Sequence, residues 1–196
     1  MGDAAVIADQ DRSGWFGASE TATIMGSWRT RTFSSWWMTK LGLNTGHFAS
    51  VAMNAGTYYE HAVLDAIGAV RRDHQILVPE LLLRVNLDGD APGRIYEVKT
   101  HKADKPFKVS KAYNQQVQVQ MFAKLKEEGR LPVAEIVAYG LTEEDYRNFF
   151  NEIEKRRITR HFIAYDTVFI ERYLRRLEYL AKCLEEGRWP DEAFIQ

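Results

Sequence analysis

The chain has 196 residues, 45% hydrophobic and 27% charged, with 26 Lys and Arg against 27 Asp and Glu for a formal charge of −1. That balance excludes global disorder and does not fit a protein that coats nucleic acid through bulk positive charge, although an enzyme with its cations gathered on one surface still fits. There is no apolar run of the roughly 18 residues a membrane span needs, no basic-then-apolar leader in MGDAAVIADQDR, and only one cysteine, Cys183, which suits a reducing cytoplasm.

No repeat or linker divides the sequence, so one domain over 1–196 is expected, with a C-terminal strand and helix at 157–187. Helix signals fill the first third. Ser19 before ETATIMG offers an N-cap, and Gly26 a stop. Ser34 or Ser35 opens an aromatic helix, SWWMTKLGL. A longer helix is expected over 50–70, with Tyr59, Val63, Ile67 and Val70 at helical spacing.

The middle changes character. ELLLRVNLD (80–88) and RIYEVKT (94–100) read as strands joined by the turn-rich GDAPG. Residues 110–130 form a helix with Val117, Met121 and Leu125 on one stripe, Gly129 as its C-cap and Pro132 beyond it. Strands follow at 133–141 and 157–166. A closing helix from Asp166 to Gly187 carries Val168, Leu174, Leu177, Leu180 and Leu184. Helices interleaved with a few strands predict a mixed α/β domain around a small central sheet.

Charged residues inside strand-like segments need a partner or solvent. Along 94–100, Ile95, Glu97 and Lys99 share one face and Tyr96 and Val98 the other. Asp88 ends the preceding strand, so a hairpin brings it near Glu97 and Lys99. Two hard carboxylates in a compact site suit Mg²⁺ or Mn²⁺, and a lysine beside them can orient water or answer phosphate charge. The same pattern also suits an ordinary ion pair beside a hairpin. Glu60 interrupts an otherwise small or apolar helical stripe of Gly56, Leu64 and Ile67, either as part of a site or as a surface glutamate. Tyr113, Gln116 and Gln120 align on one helical face and can be read as ligand-facing or simply polar.

Taken in order, RSGWFGASETATIMG, WWMTKLG, NAGTYYE, NLDG, YEVKT and AYNQQVQVQM resemble the YqaJ-like viral recombinase family. These are alkaline exonucleases of the bacteriophage lambda exonuclease type, within the PD-(D/E)xK nuclease superfamily, and the likeness covers about residues 12–125. The resemblance implies a restriction-endonuclease-like α/β core and a Mg²⁺-dependent (Mn²⁺-tolerant) 5′→3′ exonuclease on double-stranded DNA ends. It implies metal ligation by Asp88, Glu97 and the Val98 carbonyl, a catalytic Lys99, a supporting Glu60, and Gln116 preceded by Tyr113. Arg12 and Ser19 match the pair that binds the 5′-phosphate. A single-strand annealing partner and a homotrimer around DNA are further implications. Gly17 and Leu87 stand where the family commonly has threonine and proline, and the family's tryptophan before the arginine is missing. Arg29, Arg31, Lys102, Lys105, Lys108, Arg156, Arg157 and Arg160 are candidate DNA contacts, as is stacking by Trp28; Trp36 and Trp37 are expected in the core.

Overall fold

The computed structural model describes residues 13–43, 51–69 and 71–195. Its six-stranded mixed sheet contains β1 (Phe16–Gly17), β2 (Arg71–Val78), β3 (Leu83–Ala91), β4 (Arg94–Lys102), β5 (Val133–Leu141) and β6 (Ile158–Ile163). Around it lie α1 (Thr21–Met25), α2 (Arg31–Lys40), α3 (Val51–Ile67), α4 (Lys111–Glu128) and α5 (Thr167–Glu185).

The sheet is split along β3. One edge of β3 pairs antiparallel with β2 from Leu83↔Val78 to Asp90↔Arg71. A strand has only two edges, so the other is shared: β1 holds Leu83 and Arg84 in parallel, and β4 holds Gly89, Asp90 and Ala91 antiparallel. Between those contacts residues 85–88 have no paired strand on that side among the described residues. β4 continues beyond its partner to pair in parallel with β5 as far as Lys102↔Leu141. The notch between β1 and β4 is where a ligand can enter the sheet.

Each face of the sheet carries its own core. Leu83, Val85, Leu87 and Ile95 pack with Val117, Met121 and Phe122 of α4 and Phe169, Tyr173 and Leu177 of α5. Tyr96, Val98, Val137 and Tyr139 pack against Tyr59, Val63 and Leu64 of α3. The alternation expected for Ile95, Tyr96 and Val98 therefore holds. Trp37 is fully buried and Trp36 packs against the same cluster, as expected.

Several boundaries differ from the sequence reading. α2 begins at Arg31, because Thr30 caps it by accepting from Phe33 N at 3.1 Å. Ser19 does not cap a helix. It lies within a 3₁₀ turn, Ala18–Glu20, where Glu20 accepts from Gly17 N at 2.8 Å. The expected strand at 80–88 starts only at Leu83, after a 3₁₀ turn that ends with Leu82 left-handed at φ 47°. Of GDAPG, only Pro92 and Gly93 form the turn; Gly89, Asp90 and Ala91 extend β3. The inward face of α5 is led by Phe169, Ile170 and Tyr173, while Val168 is exposed. β1 and β2 were not expected at all.

Candidate active site

Asp88 and Glu97 lie just past the last β3–β4 ladder pair, Gly89↔Tyr96, where the two strands diverge. Divergence frees the Val98 amide from β3's backbone, and Asp88 Oδ2 accepts it at 2.7 Å. Lys99, the next polar residue on β4, donates to Glu97 Oε1. From α4, Gln116 reaches the same oxygen at 2.5 Å, and Gln120, one turn further, donates to Oε2. Glu97 is 1% exposed, so these donors are what makes its burial tolerable. Tyr113 presents its ring 5.1 Å from Lys99 Nζ.

Glu60 arrives from the opposite face on α3. Gly89 is the reason it can. A Cβ at position 89 would sit 2.5 Å from Leu64 Cδ2, so only glycine lets α3 approach this closely, one turn after Glu60. Burial, then the charge of Glu97, pushes the Glu60 carboxyl up to about 7. Asp88 is driven well above the usual carboxylate range, by burial first and then by Glu97 and Glu60. Burial alone would lower Lys99, but Glu97 and Asp88 outweigh it and hold the ammonium above its ordinary pKa.

These groups line a cleft of about 280 Å³, together with Gly17, Ser19, Lys40, Arg84 and Asn86. Val98 is part of the same wall. Arg84, Asn86 and Asp88 are alternate residues of β3 and therefore share its open face. Lys40 is buried here: it pairs with Glu20 at 2.8 Å and donates to the Trp15 carbonyl at 2.6 Å. Arg84, Asn86 and Lys40 had no signal beyond being polar residues in apolar surroundings.

Asp88, Glu97 and Glu60 gather at one end of the cleft beside Lys99, and oxygen-only donors match a hard divalent cation. Asp88 and Glu97, with Glu60 on the facing helix, are one set that could hold such an ion. Glu60 also approaches His61 and Asp73, the three offering ligand atoms within 4.8 Å of one another. His61 Nε2 and Asp73 Oδ2 are 2.9 Å apart.

The other candidates are scattered. Arg12 lies outside the described residues. Ser19 is at the β1 end of the cleft, exposed. Arg29 pairs with Glu192 at 3.1 Å on the surface, and Arg31 and Lys102 are exposed away from the cleft lining. Arg157 and Arg160 do not fit the role of free phosphate contacts: Arg157 is bound to Asp145, and Arg160 to the buried Glu135. Arg156 pairs with Glu154 at 2.6 Å. Trp28 is 3% exposed between Phe33 and Tyr179, so base stacking by it is corrected to a core role.

The sequence matches no family model and no curated protein. Solved structures do match. An alkaline exonuclease from Laribacter hongkongensis, LHK-Exo, superposes with TM-score 0.65 at 19% identity over 89% of this chain and 90% of that one. The chain has the fold of the alkaline exonucleases. LHK-Exo in complex with dAMP gives TM-score 0.63 at 19% identity, covering 88% and 89%. A phage-related exonuclease from Haemophilus somnus 129PT gives 0.65 at 15%, covering 87% and 92%. As in the sequence reading, the architecture is a mixed α/β nuclease-type core. Among the described residues, no helix is long and apolar enough to cross a membrane.

Proposed function

We propose that this protein is a divalent-metal-dependent deoxyribonuclease, a 5′→3′ exonuclease acting on double-stranded DNA ends. One observation carries the reading: Asp88, Glu97, Glu60 and Lys99 converge where β3 and β4 part, beside an open cleft. The exonuclease neighbours support it, as does dAMP, a deoxynucleoside monophosphate, in one of them.

Mg²⁺ or Mn²⁺ held by Asp88, Glu97 and the Val98 carbonyl, with Glu60 in support, would lower the pKa of water and offset charge on the scissile phosphodiester. Gln116 and Gln120 hold the Glu97 carboxylate in one orientation before substrate arrives. The Val98 amide does the same for Asp88. Lys99, kept protonated by its acidic neighbours, donates to the attacking water or to a phosphate oxygen in the transition state. Ser19, at the β1 end of the cleft, would receive the 5′-phosphate; Arg12 is its partner by the family likeness alone.

The test is digestion of an end-labelled blunt duplex with Mg²⁺, with and without a 5′-phosphate, beside a covalently closed circle. Mononucleotides from the phosphorylated end, with the circle intact, are expected. Asp88→Asn and Glu97→Gln should each lower the rate by about 100-fold or more. Cleavage of the circle would replace the exonuclease reading with an endonuclease one, and undiminished activity in both variants would remove the site assignment.

A further inference from the structure

A second hollow, of about 1270 Å³, opens between the N-terminus of α4, strand β6 and α5, and shares no lining residue with the cleft. Lys111, Arg172, Arg175 and Arg176 line it. Asp166, the carboxylate among its described lining residues, is taken up in capping α5, where it accepts from Phe169 N at 2.8 Å. Arg176 is anchored, donating to the carbonyls of Ile24 and Gly26 at 3.1 Å each. Arg172 and Arg175 are exposed, and among the described residues no acid pairs with either. Like charges a turn apart on one helix destabilise it unless something anionic answers them. Burial and the charge of Arg172 indeed hold Arg176 below its ordinary pKa.

A continuous path joins this groove to the cleft. Lys99 stands over the Tyr113 ring, Tyr113 is stacked on Phe107 with centroids 6.1 Å apart, and Phe107 meets His161 at 5.2 Å. His161 is part of the groove wall. From the end of β4 to the start of α4, Lys102, Lys105, Lys108 and Lys111 recur at every third residue, all exposed and with no acidic partner among the described residues. In the groove itself, Phe162 is 69% exposed and Phe194 42%. Phe194 is held flat against Tyr179, with centroids 3.9 Å apart, so it presents a fixed ring. Cations interleaved with exposed aromatic faces are the chemistry of single-stranded nucleic acid; an acidic peptide would use the cations and leave the rings idle.

We propose that this groove binds a single DNA strand, with phosphates on Lys111 and the α5 arginines and bases against Phe162 and Phe194, as the exit path of the strand that is not cut. The exit role depends on the nuclease reading; strand binding does not.

The test is fluorescence anisotropy of a labelled oligothymidylate of roughly 20 nucleotides, measured without divalent metal so that nothing is hydrolysed. Arg172→Ala with Arg175→Ala should raise Kd about tenfold or more and flatten its salt dependence by roughly 1.4 in log–log slope, the loss of two phosphate contacts. Phe162→Ala should raise Kd about fivefold. Both variants change exposed side chains, so the melting temperature should stay at the wild-type value. Unchanged strand affinity in the arginine variant overturns the proposal. Displacement of the oligonucleotide by polyglutamate at equal charge, with no effect of Phe162→Ala, overturns it in favour of an acidic protein partner. Strand binding that follows this pattern in a wild-type protein that hydrolyses nothing keeps the groove and removes only its exit role.

Discussion

Leu64 of α3 occupies the space that a side chain at Gly89 of β3 would need, at 2.5 Å from where its Cβ would stand. Both neighbours of Gly89 are aspartates, and Leu64 follows Glu60 by one helical turn, so this contact sets how near the Glu60 and Asp88 faces come. Gly89→Ala is expected to cost about 1–3 kcal/mol in urea denaturation through overpacking. Combined with Leu64→Ala, the two costs should fall short of their sum by about 1 kcal/mol, because each relieves the other. Simple additivity would show that the contact does not limit α3.

Gln120→Leu keeps the bulk of the side chain but removes a donor from buried Glu97. A loss of about 1–3 kcal/mol in stability is expected from the unsatisfied carboxylate oxygen. Turnover on duplex ends should fall about tenfold or more as Glu97 loses its fixed orientation. A variant with native stability and native rate would mean that Gln116 and Lys99 suffice.

How much of this was legible beforehand differs by element. Strands β3, β4 and β5 announced themselves by apolar alternation or runs, and α4 by its caps. β2 did not: Arg71, Arg72, Asp73 and Gln75 are exposed, so half of it has no apolar period to detect. β1 spans two residues and exists only because β3 offers it an edge. Asp88, Glu97 and Lys99 stood out because charge inside a strand needs a reason, whereas Lys124 looked like any solvated helix lysine. It is 0% exposed, surrounded by Asp90, Glu127 and Glu128. The family likeness supplied roles for Glu60 and Gln116 that spacing alone left open.

The Lys124 cluster gives a prediction of its own. Lys124→Met strips the ammonium from buried Asp90, leaving it to Arg71 and His74 alone. A destabilisation of about 1–3 kcal/mol is expected, since the buried carboxylate loses one of its charged donors while Arg71 remains. Asp90→Asn in the same chain should recover part of it, read by denaturation midpoints.

The acidic cleft also fixes a pH dependence. The carboxyl of Glu60 lies at about 7 in the folded protein against an ordinary 4.5, and Asp88 is raised as well. A raised carboxyl is protonated more readily in the folded than in the unfolded chain, so the stability it confers is complete below about 4.5 and lost as pH climbs through about 7. Without divalent metal, the melting temperature is therefore expected to fall between about pH 4.5 and 7, and Glu60→Gln should flatten that slope. Added Mn²⁺ should raise it more at the alkaline end, where fewer protons compete for the oxygens. Equal stabilisation by metal at both ends of the range would place the ion elsewhere.

The clamp on the β3–β4 hairpin has a kinetic consequence. Lys124 grips Asp90 on one side of the Pro92–Gly93 tip, and Glu128 accepts the Gly93 amide at 2.9 Å on the other. That ties the C-terminal turns of α4 to the strands bearing Asp88 and Glu97, whereas Ser19 hangs from a ladder only two residues long. In amide hydrogen exchange the hairpin and α4 should open together and last, while the segment around Ser19 opens earlier and alone. The segment proposed to receive a 5′-phosphate can thus open and close while the carboxylates of Asp88 and Glu97 stay in place.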